Sequence, residues 1–144
     1  MAGPTGEDRT PIMSQSQRTA LLDLDGTLVD SAPDLAAAAA EWLAAIGRPA
    51  LDAADVIAFV GDGAAKLVER CLAATGGPTD RDRGVETAAF LAAYAGRRNR
   101  ATHPYPGVDA ALRRLTAEGW GLAVVTNKPE AAARDVLADT GLSR

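Results

Sequence analysis

Two short apolar runs, at residues 19–24 and 121–126, constrain the fold of this chain more than any other sequence feature. Each is aliphatic, too short for a typical helix and bounded by turn residues, which is typical of a buried strand in a parallel sheet. The long stretch between them has helical periodicity instead. The sequence therefore predicts an α/β fold, with a Rossmann-like parallel-sheet core into which a helical unit is inserted.

Four helices are predicted in the inserted unit. The first begins at Ser31, where a capping residue is followed by an early proline and an acid, and it ends at Gly47. The second covers residues 52–59 and the fourth covers residues 82–95. We expect residues 31–103 to form a four-helix cap, and residues 19–30 and 104–144 to form the core. The third helix has one apolar stripe, made by Ala64, Leu67, Val68, Cys71 and Leu72.

Two more helices are predicted in the second part of the core. One follows Gly107, carries apolar residues at helical spacing and ends at Gly119. The other begins near Asn127, which we interpret as the cap residue, with Glu130 three positions on completing a capping box. Pro129 in the first turn agrees with that start.

Composition excludes several classes of function. The net charge is −4 and the isoelectric point is about 4.9, which argues against a nucleic-acid or anionic-membrane partner. A single cysteine, Cys71, excludes an internal disulfide and any metal site with several cysteines. The sequence contains no apolar run of membrane-spanning length.

The first residues of the chain have a different character from the rest. Residues 1–18 are polar and lack the apolar segment of a secretory signal, so we predict a disordered tail and a cytoplasmic protein. Met13 lies within this tail. Composition alone leaves open whether Met1 or Met13 is the true start.

The first apolar run ends in two carboxylates. Asp23 and Asp25 are two residues apart, so both can face the same side where the chain leaves the sheet, and Gly26 permits a sharp turn. Their mutual repulsion is tolerated if a divalent cation lies between them or if one carboxyl stays protonated. A nucleophilic carboxylate, a second carboxyl that moves a proton and a hard metal are what phosphoryl transfer requires.

Two other interpretations of these acids are weaker. A solvated turn at a strand end would explain one aspartate. It explains less well an apolar run that ends in the pattern Asp-Leu-Asp-Gly-Thr. A calcium loop needs glycine at its sixth position and a preceding helix, whereas Gly26 is the fourth residue of this pattern and follows a strand.

The segment 23–31, Asp-Leu-Asp-Gly-Thr-Leu-Val-Asp-Ser, resembles the first motif of the haloacid dehalogenase-like hydrolases. The resemblance implies that Asp23 is the nucleophile and forms an aspartyl-phosphate, while Asp25 acts as general acid and then as general base. It also implies that the Asp23 carboxylate and the Asp25 backbone carbonyl bind Mg²⁺. We expect Gly26 and Thr27 to contribute to phosphate binding.

Residues 124–127, Val-Val-Thr-Asn, resemble the second motif of that family. The resemblance implies that the Thr126 hydroxyl and the Asn127 amide bind phosphate, and that the helical insertion is the family's cap. Residues 104–108 and 125–129 most resemble the phosphoglycolate phosphatase branch, as does the Gly61-Asp62-Gly63 loop. This implies a Mg²⁺-dependent phosphatase acting on a small phosphorylated metabolite, with 2-phosphoglycolate the expected substrate. Alternatives within the family are other phosphatases and pyrophosphatases.

The third and fourth motifs of the family, a lysine and a set of metal-binding acids, would fall beyond Arg144. The resemblance therefore implies an N-terminal portion of the enzyme, with a catalytically inactive remnant as an alternative. These 144 residues alone are expected not to hydrolyse phosphate esters efficiently. A signalling receiver domain also forms an aspartyl-phosphate. A receiver domain would not carry four helices directly after its first strand, so the sequence favours the phosphatase.

Three cationic side chains are candidates for a role in the site. Lys128 follows the second motif, and we interpret it as a rim residue at a helix start in preference to a phosphate ligand. Lys66 and Arg70 lie four apart on one helix face beside the Gly61-Asp62-Gly63 loop. They could meet a substrate carboxylate, but a solvated helix face is the favoured interpretation.

Overall fold

The computed structural model describes residues 18–143, so the predicted tail lies, apart from Arg18, outside the described residues. The described residues form both helices and strands, as the predicted α/β fold requires. The strands are β1 (Thr19–Leu22), β2 (Val29–Asp30), β3 (His103–Pro104) and β4 (Gly121–Val124), and the helices are α1 (Ala32–Ala45), α2 (Ala53–Phe59), α3 (Ala64–Ala74), α4 (Arg83–Arg97), α5 (Val108–Ala117) and α6 (Glu130–Asp139).

The two predicted strands pair with each other. β1 and β4 are parallel, in a register that places Leu22 opposite Val124. One more backbone bond, 2.8 Å from the Val125 N–H to the Leu22 carbonyl, extends the pairing past the strand ends. The parallel sheet is confirmed, and it brings the residues after β1 and β4 to the same edge.

A second, antiparallel pair was not predicted. β2 and β3 join Val29 to Pro104 and Asp30 to His103, and the Tyr105 N–H donates to the Leu28 carbonyl at 3.1 Å. Two-residue strands have no alternating pattern that a sequence could show. This ribbon lies where the chain enters and leaves the four helices.

The four helices α1 to α4 enclose the larger apolar cluster, as the sequence predicts. The predicted stripe of α3 faces inward, with Leu67, Val68, Cys71 and Leu72 all buried. Glu86 is also buried there and accepts hydrogen bonds from the Trp42 indole and the Thr79 hydroxyl. We call this set the helical cluster: Leu35, Ala38, Ala39, Trp42, Leu43, Val56, Leu67, Val68, Cys71, Leu72, Phe90 and Tyr94.

A smaller apolar cluster lies between the sheet and α6. We call it the sheet cluster: Leu24, Leu28, Val29, Ala133 and Val136. Helix α5 packs beside it but contains no buried residue. None of the described helices is long and apolar enough to cross a membrane.

The predicted cap of the last helix is wrong by two residues. Pro129, not Asn127, occupies the cap position of α6, and no side chain caps it. The Asn127 side chain donates instead to the Gly61 carbonyl at 2.8 Å. The local sequence pattern assigns the Asn127 side chain to helix capping, but it binds a residue that is distant in sequence instead.

Candidate functional site

A tight turn after β1 presents the two aspartates. Leu24 is fully buried, and its carbonyl accepts hydrogen bonds from the backbone N–H groups of Leu28 and Val29. Gly26 has φ of 78°, a left-handed conformation that suits glycine. The turn is thus anchored in the sheet cluster, and Asp23 and Asp25 project from its start.

A cavity of about 50 Å³ lies between this strand edge and the four helices. Its polar side comes from the core: Asp23, Asp25, Thr126, Asn127 and Lys128. Its apolar side comes from the helices and includes Leu35, Leu67, Phe90, Leu91 and Tyr94. The structure therefore brings together both predicted catalytic aspartates and both predicted second-motif residues.

Asp25 is the more enclosed of the two aspartates. Its side chain is 15 % exposed and pairs with the Lys128 ammonium, which lies 3.0 Å from Oδ1 and 3.2 Å from Oδ2. The buried Ser31 hydroxyl donates to Oδ1 as well. Three short contacts thus fix the carboxyl group in the cavity wall.

Asp23 lies in a more open environment. It is exposed, and its Oδ1 accepts a hydrogen bond of 2.7 Å from the Leu24 N–H. That bond sets the side-chain direction while leaving the carboxylate accessible from the cavity. An accessible, oriented carboxylate is suited to attack on an electrophile.

The structure places Lys128 inside the site and not at its rim. Its side chain is only 4 % exposed, and its ammonium lies 4.5 Å from the centre of the Tyr94 ring. The rim interpretation is therefore wrong. A local pattern could not reveal this position, because both partners of Lys128 are distant in sequence.

Thr126 and Asn127 belong to the turn after β4, and Asn127 connects this turn to the helical part. The Thr126 hydroxyl accepts a hydrogen bond of 3.2 Å from the Lys128 N–H, which shapes the turn after β4. Beside Asn127, the backbone of Gly63 comes so close that an added Cβ would lie 3.3 Å from the Asn127 carbonyl oxygen. Glycine at position 63 thus permits the helical part to approach this turn.

Four candidate residues do not line the cavity. Gly26 and Thr27 are exposed in the turn, and their contribution to phosphate binding stays a prediction. Lys66 pairs with Glu69 at 2.7 Å on the surface of α3. Arg70 donates to the Phe59 carbonyl at 2.9 Å and pairs with Asp62, so it supports the loop before α3.

Sequence reasoning missed Tyr94 as a site residue. It lies one helical turn after Phe90 in α4, and that spacing could have placed both side chains on the same inward face. Burial raises the pKa of the Tyr94 hydroxyl, an effect that the neighbouring Lys128 charge partly opposes. The ring therefore stays a neutral phenol in the cavity wall.

The oxygen atoms available at the strand edge would supply a small part of a Mg²⁺ coordination sphere. Among the described residues, no group of three or more acidic, histidine or cysteine side chains could hold a metal ion. The Asp25 carboxylate is engaged by Lys128 and Ser31, which leaves the Asp23 carboxylate and the Asp25 backbone carbonyl as oxygen ligands. Mg²⁺ commonly takes one or two carboxylates from a protein and completes its shell with water and phosphate.

Comparison with known proteins gives a consistent result. A family model for haloacid dehalogenase-like hydrolases matches residues 17–144. The chain is 43% identical over 123 residues to a phosphoglycolate phosphatase of Cereibacter sphaeroides strain ATCC 17025. The matched region covers 85% of this chain and 56% of that protein. The chain is 45% identical over 124 residues to the plasmid phosphoglycolate phosphatase of Cupriavidus necator H16, which covers 86% of this chain and 54% of that protein.

A solved structure agrees with the sequence comparisons. The crystal structure of a predicted phosphoglycolate phosphatase from Haemophilus somnus 129PT has a TM-score of 0.81 and 30% identity, over 88% of this chain and 58% of the other. The resemblance to the phosphoglycolate phosphatase branch is thereby confirmed. The chain spans little more than half the length of these relatives.

Proposed function

We propose, since the chain belongs to the haloacid dehalogenase-like hydrolases, that it supplies the nucleophile and proton-transfer half of a phosphomonoesterase. One observation carries the proposal: Asp23, Asp25 and Thr126 line a single cavity at the carboxyl ends of two parallel strands. Ligands of open α/β sheets bind at that edge.

The Asp23 carboxylate attacks phosphorus, and the bond from phosphorus to the ester oxygen breaks. Asp25, in its protonated form, gives its proton to the departing oxygen, so an alcohol is released and Asp25 becomes a carboxylate. Water then attacks the aspartyl-phosphate while Asp25 accepts its proton. Inorganic phosphate leaves, and the Asp23 carboxylate is regenerated.

Mg²⁺ is the cofactor that this arrangement implies. The Asp23 carboxylate and the Asp25 backbone carbonyl would bind it, and it would neutralise charge on the phosphoryl oxygens. The Thr126 hydroxyl and the Asn127 backbone N–H would donate to the same oxygens. The predicted roles of Gly26 and Thr27 belong to this step, as backbone donors once phosphate is bound.

The substrate we propose is 2-phosphoglycolate, converted to glycolate and phosphate. The named relatives are phosphoglycolate phosphatases, and this supports the choice of substrate. Another phosphatase or a pyrophosphatase of the same family is the alternative. Residues 31–103 would act as a lid over this site, moving on the β2–β3 ribbon.

Two aspartate substitutions test the mechanism in the product of the complete reading frame. Asp23→Asn should abolish the phosphoenzyme. Asp25→Asn should still form some phosphoenzyme from an activated ester but should slow turnover at least ~10²-fold, because the proton transfers are lost. Trapping of labelled phosphate is the measurement, and Asp80→Asn, in an exposed loop, is the matched control. Wild-type labelling of Asp23→Asn would contradict the assignment.

The 144-residue chain itself is a separate test. Among the described residues, the Asp23 carboxylate and the Asp25 carbonyl are the metal ligands that we infer. Attack of one anion on another depends on cations that offset the charge, so we expect poor turnover of 2-phosphoglycolate by this chain. Mg²⁺-dependent turnover equal to that of the longer product would show that the described residues suffice.

A further inference from the structure

We propose that the Asn127 side chain is a positioning residue for phosphate binding, because it holds a loop of the helical part against the turn that follows β4. The loop consists of residues 60–63, Val-Gly-Asp-Gly, and we call it the docking loop. Arg70 is the second positioning residue, since it keeps the docking loop in the shape that Asn127 binds. The inference rests on the proposed phosphate-ester function and deepens it.

The amide of Asn127 joins the helical part to the core. It donates to the Gly61 carbonyl at 2.8 Å, across 66 positions of the sequence. The docking loop also approaches the turn at Gly63, where an added Cβ would lie 3.3 Å from the Asn127 carbonyl oxygen and 3.8 Å from the Asn127 Cβ. Both contacts meet at one residue of the turn, so the docking loop lies directly on Asn127.

The same residue belongs to the turn for which we propose phosphate binding. Thr126, Asn127 and Lys128 all line the cavity, and the Lys128 N–H donates to the Thr126 hydroxyl at 3.2 Å. That bond holds the turn from within, while the bond from Asn127 to Gly61 holds it from the helical side. A site that is ordered before its ligand arrives loses less entropy on binding. The docked loop therefore favours phosphate binding by the turn.

One guanidinium group braces the docking loop. Arg70 donates to the Phe59 carbonyl at 2.9 Å and to the Asp62 carboxylate at 2.5 Å, so it contacts the residue before the loop and one residue within it. Both glycines of the loop have positive φ, 129° at Gly61 and 87° at Gly63, and fixing a glycine is entropically costly. The brace offsets that cost and presents the Gly61 carbonyl to the turn.

A second amide joins the helical part to the core at a different place. Asn99, just after α4, donates to Asp139 of α6 at 2.8 Å and accepts from the Tyr94 hydroxyl at 3.3 Å. Neither Asn99 nor Asp139 lines the cavity. The sequence contains two asparagines, and they make it possible to compare a contact at the proposed phosphate turn with a contact away from it.

Calorimetric binding of inorganic phosphate in the presence of Mg²⁺, measured on the complete gene product, tests the positioning role. Asn127→Ala keeps the backbone N–H but removes the bond to Gly61, and it should weaken phosphate binding about 3- to 10-fold. Arg70→Met should also weaken it, although Arg70 does not line the cavity. In the Arg70→Met background, Asn127→Ala should have less than about a twofold further effect, because both residues act through the docking loop.

Cleavage on the amino side of Asp62 by an aspartate-specific endoproteinase measures docking of the loop directly. The Asp62 side chain is 62% exposed, but the protease requires a loop that has left the turn, so the cleavage rate follows the open population. Asn127→Ala should speed this cleavage about 3- to 10-fold. Because coupling between two sites is reciprocal, phosphate with Mg²⁺ should slow the cleavage in wild type but not in Asn127→Ala.

Two variants serve as matched controls. Asn99→Gly removes the contacts to Asp139 and Tyr94, and glycine suits the backbone there, where φ is 50°. Arg81→Met alters an arginine at an exposed position. Both should bind phosphate as wild type does. If Arg70→Met does not fold, Asp62→Ala removes one partner of the brace at an exposed residue and should weaken phosphate binding in its place.

The outcomes separate this inference from the proposed function. Unchanged phosphate binding in folded Asn127→Ala, or an equal loss in Asn99→Gly, would overturn it even if the enzyme hydrolyses phosphate esters. Fully additive effects of Arg70→Met and Asn127→Ala would overturn the role of Arg70. The expected pattern of binding and cleavage in a protein that hydrolyses no monoester would support the inference and refute the function. A wild-type protein that binds no phosphate would refute both.

Discussion

The helical part and the sheet part of the molecule are packed very differently. The helical cluster contains twelve buried residues with an edge-to-face contact between Trp42 and Phe90, whereas the sheet cluster contains five. Four large apolar side chains of the sheet strands and the residue after β4 are exposed: Leu21, Leu122, Val124 and Val125. Asp23 and Asp25 thus lie on the less well packed part, and the better packed part forms the apolar wall opposite them.

This difference means that the order of the site depends on contacts between the two parts. Within the helical part, Asp34 in α1 orders the segment that leads back to the sheet part. It is fully buried, accepts from the Ala101 N–H and the Thr102 hydroxyl at 2.8 Å each, and pairs with Arg97 at 3.0 Å. It therefore anchors the segment through which the chain returns from the helices to β3.

The largest expected effect is in the helical cluster. Phe90→Ala should lower the free energy of unfolding by about 3–5 kcal/mol, because it leaves a cavity between Trp42 and Tyr94. Burial raises the pKa of the Cys71 thiol to about 11, so alkylation of this single cysteine in urea reports opening of the cluster. Val85→Ala, at an exposed position of α4, is the control. An equal loss of unfolding free energy in Phe90→Ala and Val85→Ala would contradict the tight packing of the helical cluster.

Asp34→Ala should have a smaller effect, about 2–4 kcal/mol, because it leaves buried donors of Ala101 and Thr102 without their acceptor. Urea unfolding against wild type and Asp80→Ala measures it. Burial alone would raise the pKa of Asp34, but the hydrogen bonds from Thr102, Ala101 and Arg97 outweigh burial and lower it.

That shift fixes the sign of a pH dependence. A carboxyl whose pKa is lower in the folded state stabilises the fold above its unfolded pKa, about 3.9. The stability difference between wild type and Asp34→Ala should therefore be constant near neutral pH and shrink as the pH falls below about 4. A difference that grows in acid would contradict the charged, hydrogen-bonded state of Asp34.

The smallest expected effect is on the exposed sheet. Leu21 is 69% exposed, so Leu21→Lys should change the stability of the 144-residue chain by less than about 0.5 kcal/mol. It should also reduce self-association, because exposed apolar strands promote aggregation. Light scattering and urea unfolding measure the two effects, with Leu24→Lys in the sheet cluster as the destabilising comparison. A large loss of stability in Leu21→Lys would mean that this face is already covered.

Local patterns predicted the elements well and the contacts between them poorly. The apolar stripe of α3 and the two apolar runs were sufficient to predict a helix and a parallel strand pair, because burial of one face imposes a period on the sequence. Nothing local indicated that Asn127 would bind Gly61 or that Lys128 would lie between Asp25 and Tyr94. Those positions follow from how the helices meet the strand edge. The division into cap and core and the roles of Asp23 and Asp25 stay predictions.

The β2–β3 ribbon has a consequence for how such a protein can change. Because Asp30 and His103 are paired neighbours, the insertion departs from and returns to almost the same point. A segment with adjacent ends can be lengthened, shortened or exchanged at small entropic cost, and the register of β1 against β4 does not depend on its length. The helices are in this sense a replaceable module. A graft of a different helical unit between residues 30 and 103 would alter what the cavity admits while leaving the two aspartates in place.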